Sequence, residues 1–169
     1  MTRSLRALLI FVVVCGCVGC DQATKQIARA YLPAETCISM LHDVVRLERT
    51  QNEGAFLSLG ESLPQNIGRP LFTFGGLLIV QLGALWALFG RENSPLHILG
   101  VALACAGGLG NVIDRLIRGY VTDFLNVGIG PVRTGIFNSA DMALMLGLAL
   151  LLISSFRHER SERKQAPSR

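Results

Sequence analysis

An all-α membrane protein of four transmembrane helices, with a small extracytoplasmic β-containing element, is the fold class this sequence predicts. Three observations carry that expectation. Half of the 169 residues are apolar and only 17% are charged, with a mean hydropathy of +0.44, well to the apolar side of an ordinary soluble domain. Four long apolar stretches recur along the chain. Basic residues gather at the two ends and in short loops rather than on one amphipathic face, as membrane topology places them.

A spanning helix needs roughly 20 apolar residues. On that measure the spans run over about 5–25, 70–90, 94–114 and 137–156, separated on one side by loops over about 26–69 and 115–136. The first span is short in apolar residues, but a helix can continue through DQATKQIARAYL, with Asp21 and Lys25 at i, i+4 as a supporting pair. The second has no charge between Arg69 and Arg91, and the third none from Pro95 to Ile113 apart from a protonated His97. The fourth carries Asp141 in its first turn. Gly75, Gly76, Gly83, Gly100, Gly107, Gly108 and Gly110 would weaken soluble helices, whereas between membrane helices they permit close backbone approach. In the first loop DVVRLERT, residues 43–50, has the β-branched, partly alternating character of a strand. A single domain over 1–160 holds all of this; residues 161–169 form a polar cytoplasmic tail, and ERSERKQAPSR reads as a disordered end.

Arg3 and Arg6 precede the first span, Arg91 lies between the second and third, and Arg157, Arg160, Arg163 and Lys164 follow the fourth. The positive-inside rule puts these regions, and both termini, in the cytoplasm. Arg29, Arg46, Arg49, Arg69, Arg115, Arg118 and Arg133 fall in the opposite loops and pull against that assignment. The even number of spans and the basic C-terminus support it.

This topology gathers polar residues on the outer side: Asp21, Asn111, Asp114, Asp123, Asn138 and Asp141. Of five Asp in the chain, only Asp43 stands apart. An ionisable residue at membrane depth is costly and points to function. Asp123 and Asp141, each beside an apolar stretch, are the candidates for an acid–base pair that activates water. Asn138 or Ser139 is placed to cap the fourth helix, setting Asp141 near the positive end of its dipole. Asp114–Arg115 is either a polar pair at a helix end or part of the site, and Arg115 could equally anchor to lipid phosphate. Asn111 suits a hydrogen bond between helices, and Asn52 before Gly54 suits a turn.

Other classes fit less well. Net charge is +4, but no nucleic-acid-binding module accompanies it. There is no HExxH, and His42, His97 and His158 are scattered, so a zinc protease is not indicated. Cys17 and Cys20 form a CxxC within an apolar helix without a second pair of ligands, which reads as small-residue packing. A serine–lysine protease would need Lys25 beside a serine such as Ser39 or Ser58, and the spacing offers none. Arg3, Arg6, the apolar run and CVGC before Asp21 also resemble a lipoprotein signal with Cys20 as its lipidated residue, a reading that the further spans oppose. A channel with a carboxylate-lined path would need polar residues at mid-membrane on several helices, where the second and third spans offer little beyond Gln81 and Thr73. A membrane scaffold would tolerate loss of both aspartates.

DQATK at 21–25, NEGAF at 52–56, GNVIDR at 110–115, VTDF at 121–124 and FNSAD at 137–141 together resemble, in order, the five motifs of the lipoprotein signal peptidases, the type II signal peptidases of bacteria. The resemblance covers Asp21 to Asp141. It implies a metal-free and nucleotide-free intramembrane aspartic endopeptidase that cuts a prolipoprotein before its diacylglyceryl-modified cysteine. It needs no cofactor, works in the bacterial inner membrane among lipid, and is expected to be a monomer. It implies Asp123 and Asp141 as the catalytic pair, and Asp21, Lys25, Asn52, Gly54, Asn111, Asp114, Arg115, Asn138 and Ala140 as substrate-binding or supporting positions. The family's first outer loop forms a small sheet that cradles the substrate. Two departures stand out: Thr24 replaces a common serine, and Phe56 comes one place early after Asn52. Gly128 and Gly130 in NVGIGP suggest a bend, and the two outer loops are expected to clamp the substrate from opposite sides.

Overall fold

The computed structural model describes residues 2–33, 36–54, 63–90 and 94–165, with side chains of the last helix as far as Arg157. The Phe56 departure lies outside the described residues. Four helices, α1 (Arg3–Tyr31), α2 (Gln65–Phe89), α3 (Pro95–Arg118) and α4 (Ser139–Gln165), are each long and apolar enough to cross a membrane. Strands β1 (Cys37–Met40), β2 (Val45–Asn52), β3 (Val121–Ile129) and β4 (Val132–Arg133) form one antiparallel sheet in that order.

The helices run past the apolar limits read from the sequence. α1 passes through Cys20 unbroken and continues ten residues beyond Asp21 to Tyr31. Its polar last turns find partners in Asp114, Thr122 and Arg49, so hydrophobicity does not mark its end. α3 begins at Ser94, whose hydroxyl accepts from the His97 N–H, with Pro95 pre-set at the first position. It ends at Gly119, whose φ of +83° is a left-handed cap few other residues would adopt; two residues later β3 begins. α4 stays helical to Gln165 rather than becoming disordered at Glu159, because Glu, Arg, Lys and Gln are good helix formers even without an apolar face.

α3 is the central helix, packed against α1, α2 and α4. Half of its apolar stretch is buried, against 22% or less in the others. The bundle is apolar outside, with Phe11, Phe74, Ile79 and Leu152 all exposed, and charged within. Lys25, Asp21, Asp114 and Asp123 are among its largest fully buried side chains. Gly110 makes one close approach possible: a Cβ there would stand 2.6 Å from Asp21 Oδ2.

The sheet joins strands from the two outer loops. β2, from the first loop, pairs with β3, from the second, over Val45–Val127 to Asn52–Val121, with an irregularity between Leu47 and Thr50. The described parts of the two loops therefore share one sheet, while residues 55–62 of the first loop lie outside the described residues. Asp123 belongs to β3. The strand expected at 43–50 forms at Val45–Asn52, because Asp43 is taken into the β1–β2 turn. Gly130 forms the β3–β4 turn.

Candidate active site

Asp123 enters from β3 and Asp141 from the first turn of α4, and Asn138 links them. Its Nδ2 donates to Asp123 Oδ1 at 2.6 Å, and its backbone N–H donates to Asp141 Oδ2 at 3.1 Å. In return Asp141 N–H donates to Asn138 Oδ1 at 3.0 Å, a reciprocal capping box that begins α4. The remaining oxygens are also occupied. Asn52 Nδ2 donates to Asp123 Oδ2 at 2.9 Å, and Asn111 Nδ2 to Asp141 Oδ1 at 2.9 Å. Four donors from three residues, Asn52 on β2, Asn111 on α3 and Asn138 at the head of α4, thus fix the two buried carboxylates.

Asn52 is both the turn residue and the site residue the sequence left open: its Oδ1 accepts from the Gly54 N–H at 2.9 Å. Gly54 O in turn accepts from Arg115 Nη2. Arg115 therefore reaches the first loop rather than pairing with Asp114. Its Nε is buried without a hydrogen-bond partner among the described residues.

Behind the pair lies a second charged group. Lys25 bridges Asp21 at 2.9 Å and Asp114 at 3.5 Å, with all three side chains almost wholly buried, and donates to Asn111 Oδ1 at 2.8 Å. Because that oxygen faces Lys25, the amide nitrogen of Asn111 faces Asp141. Asp21 Oδ1 accepts from Ser139 Oγ at 3.0 Å and from the Ala140 N–H at 2.9 Å. An α1 carboxylate thus also caps α4, where its charge complements the helix dipole. Asp114 accepts from Arg118 at 2.7 Å and from the Thr122 N–H at 3.0 Å, tying α3 to the start of β3.

All eleven residues singled out from the sequence lie in these two connected groups, while Asp43 stays in the β1–β2 turn. The sequence reading missed Arg29, Arg118 and Thr122 as supports of Asp114. The i, i+4 spacing of Asp114 and Arg118 was the signal for one of them; the other two arrive only through folding.

Burial pushes the Asp123 carboxyl up to about 6, the neighbouring Asp141 charge adds to the rise, and the Asn52 and Asn138 amides oppose it. A cavity of about 710 Å³ opens from Asp141 between α2, α3 and α4. Asp141, Asn111 and Arg115 line one end, Ile79, Val101 and Leu148 its length, and Trp86 and His97 the other end, their rings 4.8 Å apart. Along α3, His97 and Asn111 are 14 residues apart, or about 21 Å.

Residues 12–157 match the family described as signal peptidase (SPase) II. The chain belongs to the signal peptidase II family. Its relatives include lipoprotein signal peptidases of Streptococcus pneumoniae, 34% identical over 89% of this chain and 94% of that one, and of Azoarcus sp., 34% identical over 96% and 92%. A bacterial membrane enzyme solved by the in meso method at 2.3 Å has the same fold, with a TM-score of 0.80 and 24% identity over 95% of this chain and 94% of that one. Membership of signal peptidase II makes the chain a multi-pass membrane protease.

Proposed function

We propose that this signal peptidase II is an aspartic endopeptidase that removes the signal peptide of diacylglyceryl-modified bacterial prolipoproteins, cutting just before the lipidated cysteine. The observation that carries the reading is the Asp123–Asp141 pair, joined through Asn138, with Asp141 lining one end of an apolar cavity. Two neighbouring carboxylates share one proton, because a second negative charge nearby is disfavoured. Asp141 takes a proton from water as its oxygen adds to the scissile carbonyl carbon, and Asp123 gives its proton to the carbonyl oxygen. When the C–N bond breaks, the proton held by Asp141 passes to the leaving amine, and the carbonyl re-forms as its proton returns to Asp123.

The apolar cavity suits the signal helix and acyl chains of such a substrate, whose cleavage point would then lie at the polar end. Arg115 Nε offers a buried donor to a substrate carbonyl. The enzyme is a monomer in the cytoplasmic (inner) membrane with both termini in the cytoplasm and the site near the outer face. Basic residues at both chain ends support this orientation. The test is cleavage of a diacylglyceryl-modified prolipoprotein by membranes carrying wild type, Asp123→Asn or Asp141→Asn at matched, inserted levels. Both variants are expected to lose cleavage. Retention in both would overturn the pair as the catalytic centre.

A further inference from the structure

At the sheet-bearing end of the bundle, cations on α1 and α3 outnumber the carboxylates they face. Lys25, Arg29 and Arg118 all approach Asp114, at 3.5, 3.7 and 2.7 Å. Among the described residues only Lys25 has a second carboxylate, Asp21 at 2.9 Å. Three positive charges thus stand against two negative ones. Lys25 is wholly buried, whereas the Arg29 and Arg118 side chains are 19% and 25% exposed. A further guanidinium arrives from α2: a Cβ on Gly119, the residue after Arg118, would stand 3.3 Å from Arg69 Cζ. Arg69 pairs with Glu53 at 3.4 Å, but that pair is open to solvent and adds little.

The protein uses only part of each fork. Arg29 Nη1 donates to Thr122 Oγ1 at 2.9 Å and faces Asp114, and Arg118 Nη1 donates to Asp114 Oδ1 at 2.7 Å. Among the described residues, Nε and Nη2 of both forks are left for another acceptor. Asp114 has nothing more to offer them: its Oδ1 already serves both arginines, and its Oδ2 serves Lys25 and the Thr122 N–H. A planar guanidinium fork matches two oxygens of a phosphate, and the surplus of positive charge favours a ligand with net negative charge.

What lies beside the forks identifies that ligand. Leu116 and Ile117, immediately before Arg118, are largely exposed on the last turn of α3, a helix long and apolar enough to cross a membrane. Tyr31, the last residue of α1, is exposed as well, an amphipathic ring of the kind found at headgroup level. Guanidiniums and exposed apolar side chains therefore adjoin where the helices leave the bilayer. The anion that presents a phosphate and acyl chains together is a phospholipid. We propose that Arg29, Arg118 and Arg69 bind the phosphate of an anionic phospholipid, whose chains lie along Leu116 and Ile117. Thr122, which holds Arg29 through its hydroxyl and Asp114 through its N–H, directly precedes Asp123, so the headgroup braces the start of β3. The site includes neither Asp123 nor Asp141 and stands apart from the peptidase reading.

The full chain, stripped of lipid in detergent, is offered phosphatidylglycerol or phosphatidylcholine with the same acyl chains, and bound lipid is counted by native mass spectrometry. Wild type is expected to retain phosphatidylglycerol at concentrations where phosphatidylcholine dissociates. The double variant Arg29→Lys, Arg118→Lys keeps a charge beside Asp114 but loses both forks, and its affinity for phosphatidylglycerol should fall by about tenfold or more. Arg69→Gln, which leaves every contact of Asp114 in place, should also weaken binding. Thermal unfolding near that of wild type checks that both variants are folded. Unchanged phosphatidylglycerol binding in either variant would overturn the proposal, as would equal retention of phosphatidylcholine by wild type. So would displacement of the bound lipid by millimolar inorganic phosphate, which would make this a site for the free ion. Counting bound lipid requires no cleavage, so its failure is distinct from failure of the peptidase reading.

Discussion

Asn138 and Asp141 cap one another. The Asn138 side chain accepts from the Asp141 N–H at 3.0 Å, while the Asp141 carboxylate accepts from the Asn138 N–H at 3.1 Å. The turn that starts α4 is therefore also the turn that orients one member of the pair, and Asn138 Nδ2 extends the arrangement to Asp123.

Capping and bridging can be separated at this position. Asn138→Ser keeps an N-cap acceptor but removes the amide donor to Asp123. Its melting temperature should stay near wild type while its cleavage rate falls by about 10²-fold. Asn138→Ala should lose both. Equal rates for Asn138→Ser and wild type, measured on one prolipoprotein substrate, would show that the bridge to Asp123 is dispensable.

Asp21→Ala leaves Lys25 buried with Asp114 as its one remaining carboxylate and removes the cap on Ala140. Removing one partner of a buried ion pair costs about 3–5 kcal/mol. Thermal unfolding in detergent should show the loss, with Asp21→Asn less affected because it can still accept from the Ala140 N–H.

Gly110→Ala would place a methyl group 2.6 Å from Asp21 Oδ2 and 3.2 Å from the Ala140 Cβ. Neither α1 nor α4 can yield without disturbing the Lys25 group. Overpacking of this kind costs about 1–3 kcal/mol. A calorimetric scan in which the variant melts with wild type would show that the helices have room to part.

The raised Asp123 value has a definite sign. From the ordinary 3.8 to the folded value of about 6, the folded protein binds this proton more tightly than the unfolded chain. Stability should therefore fall as pH rises through that window, and Asp123→Asn should flatten the slope. The kcat/KM profile of wild type should carry a limb near pH 6 within a bell-shaped curve. Asn52→Ala, by removing an amide that opposes the rise, should move this limb to higher pH. A limb that stays in place would remove Asn52 from the titration.

Much of the site was legible because its motifs are local. Asp21 and Lys25 share a helix face at i, i+4, and FNSAD contains a whole helix cap. Asp114 was less legible, since its adjacent residue Arg115 turns to Gly54 while Arg118, Lys25, Arg29 and the Thr122 N–H take the carboxylate. Neighbours in sequence on a helix point some 100° apart, so adjacency is a poor guide to pairing. The β2–β3 pairing escaped the sequence reading because it joins residues far apart in the chain, such as Thr50 and Asp123, 73 residues apart.

The sequence by itself determined four apolar helices, their order, and the gathering of Asp21, Asn111, Asp114, Asn138 and Asp141 at one end of them. Hydrophobic length and helical spacing are local properties, written in consecutive residues. Only the tertiary structure decided that both loops share one sheet, that Asp21 caps α4, and that Asn138 joins Asp123 to Asp141. Those relationships depend on which buried donors meet which buried acceptors. In an interior where an unpaired polar group is costly, that pairing is chosen by the packed chain as a whole.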